Sequence, residues 1–62
     1  MKKFIIQSTD FDGAKTYYSD GLIRWVSNPK DAKEYDTAYI SNIEKCKLTT
    51  MYHLEVVEVW YG

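Results

Sequence analysis

Few residues in this chain have any reach for acid–base, nucleophilic or metal chemistry. There is one histidine, His53, one cysteine, Cys46, and nine carboxylates. A Cys–His nucleophile needs the thiol held against the imidazole, and a histidine base needs a carboxylate to orient it, for which Glu55 is the nominal candidate. Cys46, however, falls on the apolar side of a predicted helix, where a cysteine ordinarily acts as a small hydrophobe. One His and one Cys cannot furnish a tetrahedral metal shell. Asp10, Asp12 and Asp20 suggest a calcium loop, but counting from Asp10 the fifth position is Ala14 and the twelfth is Gly21. A calcium loop requires an oxygen ligand at the fifth position and a bidentate Glu at the twelfth. Turn chemistry is the better account of those aspartates. The three glycines, at 13, 21 and 62, form no phosphate-cradling loop. The expectation is a protein that is not an enzyme and holds neither cofactor nor metal.

What remains is aromatic. Six Tyr, two Trp and two Phe in 62 residues exceed what a core of this size can enclose. Tyr, Trp and Arg are the types that dominate binding hot spots. The residues expected to bind a partner are Tyr18, Arg24, Trp25, Tyr35, Tyr52, Trp60 and Tyr61. Trp25 and Trp60 are equally good core candidates. Tyr17 and Tyr18 alternate across their strand, so only one of them can join a platform with Trp25.

Those side chains must be positioned by a small scaffold. Residues 1–62 form one expected α+β domain, with a small antiparallel sheet of three to four strands and one helix packed on one face (β-β-β-α-β). KKFIIQST reads as the first strand, with the turn DFDG after it. AKTYYS is the second strand and LIRWVS the third, joined at Asp20-Gly21, a strong hairpin signal. Asn28-Pro29 then begins either a short helical turn or, from Ala32 to Tyr35, a brief edge strand; Ala32 and Tyr35 can face inward together. From Thr37, Tyr39, Ile40, Ile43 and Cys46 share one face of a helix, the face expected to pack on the sheet. The last strand, MYHLEVVEVWY, is half-apolar on both faces, with Leu54, Val56 and Trp60 beside Glu58 on one and Val57, Val59 and Tyr61 beside His53 and Glu55 on the other. A bulge is the simpler explanation; the alternative is a second cover supplied by a partner.

Eight Lys/Arg against nine Asp/Glu leave a net charge of −1. No basic stripe favours sequence-independent nucleic-acid binding, and no acidic excess favours mimicry of DNA. The lone cysteine precludes an internal disulfide, and no apolar run is long enough for a secretory signal or a membrane span. A cytoplasmic protein kept whole from Met1 to Gly62 is expected.

Across KTYYSDGLIRWVSNPKDAKEYDTAYISNIEK the chain resembles small phage-encoded accessory proteins. The carriers are the Tyr17-Tyr18 strand, Trp25 one strand later, the Ala32…Tyr35 corner and Thr37 leading into a helix; Ile40-Ser41 depart from the Glu-Ala pair usual there. Proteins of this kind with an assigned role include inhibitors of bacterial defence systems, among them anti-CRISPR proteins, which act by binding. The resemblance implies a non-enzymatic inhibitor of a host protein, working in the host cytoplasm. Two alternatives stand beside it. One is a nucleotide or single-stranded nucleic-acid binder stacking bases on Tyr18, Trp25 or Tyr35. The other is a self-assembling module, a homodimer through a sheet edge.

Overall fold

The computed structural model describes residues 1–48 and 52–60. Strand β1, Lys2–Thr9, carries the β-branched pair Ile5 and Ile6, which are 1% and 0% exposed. Successive strand residues point to opposite faces, so two adjacent buried isoleucines show that both faces of β1 are covered. Strand β2 spans Lys15–Tyr18, β3 Trp25–Val26 and β4 His53–Trp60. All pairings are antiparallel, in the order β3-β2-β1-β4. Helix α1, Ala38–Lys47, packs on β1 and β4. The expected α+β architecture, one helix on an antiparallel sheet of three to four strands, is observed with four strands.

Register fixes which side chains share a face. Phe4 faces Glu58, Ile6 faces Val56, Ser8 faces Leu54 and Thr16, and Tyr18 faces Trp25. This is the helix side, because Phe4, Leu54, Val56 and Glu58 line a cleft with Ala38, Asn42 and Lys45 of α1. The opposite face carries Ile5, Tyr17, Val26, Val57 and Val59. The pairing of β1 with β4 runs unbroken from Lys2–Trp60 to Thr9–His53. The bulge expected in β4 is therefore absent, and its two-sided apolar character belongs to a regular strand.

The turns follow from particular side chains. One Asp10 carboxylate oxygen accepts from the N–H groups of Asp12 (2.9 Å) and Ala14 (2.8 Å), and Gly13 takes φ +86°, a region that favours glycine. The Asp20-Gly21 hairpin is looser than a two-residue turn. The Ser19 N–H reaches the Arg24 carbonyl at 2.7 Å, leaving residues 20–23 as the connection, and Gly21 has no positive φ. Leu22 and Ile23 lie outside the ladder as a result, and β3 is shorter than LIRWVS suggests.

At the corner both expected conformations occur in succession. Asn28 caps a 3₁₀ turn at Pro29–Asp31, its side chain accepting from the Lys30 N–H at 3.0 Å. Ala32 then returns to extended backbone, the Lys33 N–H donates to the Tyr18 carbonyl, and Tyr35 exchanges two backbone hydrogen bonds with Phe4 (2.8 and 2.9 Å). Ala32 and Tyr35 are buried, the inward anchor of the corner.

The helix differs from expectation. Thr37 caps it as its sequence position suggests, the hydroxyl accepting from the Ile40 N–H at 3.1 Å. Yet Ser41 is the buried helical residue, at 0% exposure, while Tyr39, Ile40, Ile43 and Cys46 are exposed. Ile5, Ile6, Ala32 and Tyr35 already fill the interior, and a small residue lets α1 lie close over the sheet. The Ser41 hydroxyl is satisfied within its own helix, donating to the carbonyls of Ala38 (2.9 Å) and Thr37 (3.2 Å).

Candidate binding surface

Two surfaces are candidates, and different elements build them. The first is the end of the sheet where β1 runs into the Asp10 turn. The β2–β3 register sets Tyr18 beside Trp25 on the helix side, ring centroids 5.7 Å apart at 68°, an edge-to-face pair. Tyr52, just before β4, meets Phe11 of the turn in a similar contact, 5.4 Å at 69°. Between Trp25 and Tyr52 lies a hollow of about 250 Å³, completed by Ser8, Asp10 and Thr16. Two aromatic walls with hydroxyl and carboxylate groups can hold one flat ring, with polar atoms available to its edge. The volume suits a single ring rather than a drug-sized or dinucleotide ligand, whose sites start near 300 Å³.

The second surface is the outward side of α1. Tyr39 is 75% exposed, Ile40 48% and Ile43 41%. Positions three and four apart lie on one helical face, so these side chains form a single apolar stripe, with the exposed Cys46 one turn beyond Ile43. The outward orientation follows directly from Ser41 facing the sheet.

The residues expected from sequence to bind a partner divide among four places. Trp25 and Tyr52 line the hollow, and Tyr18 packs edge-to-face against Trp25. Trp60 stands at the other end of β4, 69% exposed, with the Lys2 ammonium 5.5 Å from its ring centroid. At about 3.4 Å per residue the length of β4 puts it roughly 25 Å from Tyr52. Arg24 is exposed immediately before β3. Tyr35 is 5% exposed, so as a contact residue it is corrected to a core residue: its bridge to Phe4 carries it into the interior. Tyr61 lies outside the described residues. Sequence reasoning passed over Phe11, 81% exposed in a turn, and the outward stripe of α1. An aromatic flanked by two aspartates in a glycine turn was the available signal for Phe11. For the helix, periodicity showed the stripe but not the direction it faces.

Burial pushes the Tyr35 phenol up to about 12, with Glu44, Tyr18 and Asp20 adding negative charge nearby. Its hydroxyl has no hydrogen-bond partner among the described residues. The hydrogen bond between the half-buried Lys3 and the exposed Asp36 raises the lysine and lowers the carboxyl. His53 contacts Glu55 at 2.9 Å, with both side chains more than half exposed, so water competes for each partner. No three potential metal ligands cluster among the described residues, and no helix among them is long and apolar enough to cross a membrane. Comparison with protein-family models, curated proteins and solved structures finds no match to this chain.

Proposed function

We propose that this chain is a non-enzymatic binding protein that docks the outward face of α1 into an apolar groove of a larger protein and blocks it. The observation that supports this reading is the orientation of the helix: Ser41 faces the sheet, and Tyr39, Ile40 and Ile43 face outward. Tyr39, Ile43 and the exposed Cys46 stand at i, i+4 and i+7, with Ile40 three residues before Ile43, and anchors four and seven apart recur in helix-in-groove recognition. An apolar stripe turned to water lowers solubility unless a partner covers it. The resemblance to phage accessory proteins makes the proposed partner a host protein of a bacterial defence system. The test is binding and inhibition by the full chain against Ile40→Asp and Ile43→Asp variants. Folded variants that bind and inhibit like the parent would remove this reading.

The hollow favours a second reading, an aromatic ligand such as a nucleobase held between Trp25 and Tyr52. Clustered cations do not line it among the described residues, so the ring rather than phosphate would supply the affinity. Nucleosides and short oligonucleotides at low salt should then quench tryptophan fluorescence, and Trp25→Phe should abolish the response. No quenching in the parent protein would discard the ligand.

A further inference from the structure

Strand β4 is an edge of the sheet, eight residues long, with neither glycine nor proline. Hydrogen bonds elsewhere in the sheet fix which of its backbone groups face outward. Phe4 exchanges both its N–H and its carbonyl with Tyr35, so its polar backbone atoms point away from β4. In an antiparallel ladder this direction alternates. Lys3, Ile5, Gln7 and Thr9 therefore point toward β4, and their partners Val59, Val57, Glu55 and His53 point back. Leu54, Val56, Glu58 and Trp60 are left directing N–H and carbonyl groups to the free edge. Such an edge is a template for another strand.

We propose that this edge pairs with β4 of a second copy of the chain, antiparallel, with Val56 opposite the partner's Val56. The inference goes beyond the binding function proposed above and does not depend on it. Two antiparallel copies in one continuous sheet are related by a twofold axis perpendicular to it. Facing residues then share a face, and one residue lies opposite its own copy. Near the middle of β4 that residue can be Glu55, Val56, Val57 or Glu58. Centring on Glu55 or Glu58 sets a carboxylate directly against its equivalent, an unfavourable like-charge pair. Centring on Val56 makes the centre a hydrogen-bonded pair and puts Leu54 opposite the partner's Glu58 and Glu55 opposite the partner's Val57. It also brings Tyr52 opposite the partner's Trp60 at both ends, joining two exposed aromatics. Centring on Val57 leaves those aromatics apart. The pairing is closed, giving a dimer with one continuous eight-stranded sheet.

Two measurements on the full chain test this. Light scattering or sedimentation across micromolar to millimolar concentration should show a species of twice the 7.3 kDa chain mass. Cysteines placed in a Cys46→Ser background then test the register. A hydrogen-bonded antiparallel pair holds its Cα atoms about 5.5 Å apart, within disulfide range, whereas diagonal neighbours lie about 7–8 Å apart. Val56→Cys should form a disulfide-linked dimer on mild oxidation, and Val57→Cys should not. Val56→Pro removes an N–H that faces the free edge, so it should give a folded monomer with the β1–β4 ladder intact. A monomer at every concentration, open-ended assemblies, cross-linking at Val57 instead of Val56, or a dimer that survives Val56→Pro would each overturn the proposal.

Discussion

Replacing Tyr35 with Phe removes one oxygen atom and tests both the packing and the electrostatics of the corner. The ring is 5% exposed and its hydroxyl has no partner among the described residues, so the folded state bears the cost of desolvating that group. An unsatisfied buried polar group costs about 1–3 kcal/mol, and Phe fills the same ring volume. Tyr35→Phe should therefore match or exceed the parent at pH 7, by up to about 2 kcal/mol in urea unfolding. The parent should also lose stability at high pH. The folded phenol is raised to about 12 from the ordinary 10.0, so the folded state keeps a proton that the unfolded chain releases. Stability then falls as pH rises between those values, by about 2–3 kcal/mol for two pKa units. Lys3, also raised, contributes a loss in the same alkaline range in both proteins, so the difference between parent and Tyr35→Phe isolates the phenol. The assay is urea unfolding at pH 7, 10 and 11.5. A Tyr35→Phe protein weakened by more than about 1 kcal/mol at pH 7, or one as alkali-sensitive as the parent, would show that the hydroxyl is partnered and the account of the corner is wrong.

Other positions give sharp expectations. Thr37→Ala removes the cap of α1 and should cost about 1 kcal/mol in chemical unfolding; no change would mean the cap is idle. Ser41→Leu forces a large side chain into a site with 0% exposure and should cost about 1–3 kcal/mol, whereas a neutral result would contradict the direction in which the helix faces. Gly13→Ala meets no neighbouring atom but must adopt φ +86°, so it should lose about 1–2 kcal/mol from backbone strain alone, read from the thermal midpoint. Ile40→Asp and Ile43→Asp, at exposed positions, should each change stability by no more than about 0.5 kcal/mol.

The scaffold was legible where local chemistry decided it. β-branched and aromatic residues without a breaker marked Lys2–Thr9 as a strand, and Thr37 marked the start of α1 one residue before Ala38. Asn28-Pro29 announced the corner, and the spacing of Ala32 and Tyr35 announced its buried anchor. Long-range competition was not legible. Periodicity groups Tyr39, Ile40 and Ile43 on one side of α1 without saying whether the sheet takes that side or the one bearing Ser41. Asp20-Gly21 signalled a hairpin, but whether Leu22 and Ile23 join the ladder depends on the β2–β3 register. Among the candidate binding residues, identity separated aromatic from polar but could not separate buried Tyr35 from exposed Trp60. That division depends on which strands become neighbours. The apolar stripes on both faces of β4 came from regular pairing along its whole length, which the sequence left open against a bulge.

The central claim is that the outward face of α1 is the working surface. It is tested most directly by measuring, on one purified host target found by affinity capture, the binding and inhibition given by the parent, Ile40→Asp, Ile43→Asp and Trp25→Phe. The account predicts a stoichiometric complex that survives high salt, loss of at least tenfold in affinity and inhibition for the two helix variants, and little change for Trp25→Phe. Helix variants that keep full affinity while Trp25→Phe loses it would contradict the claim and move the site to the hollow between Trp25 and Tyr52.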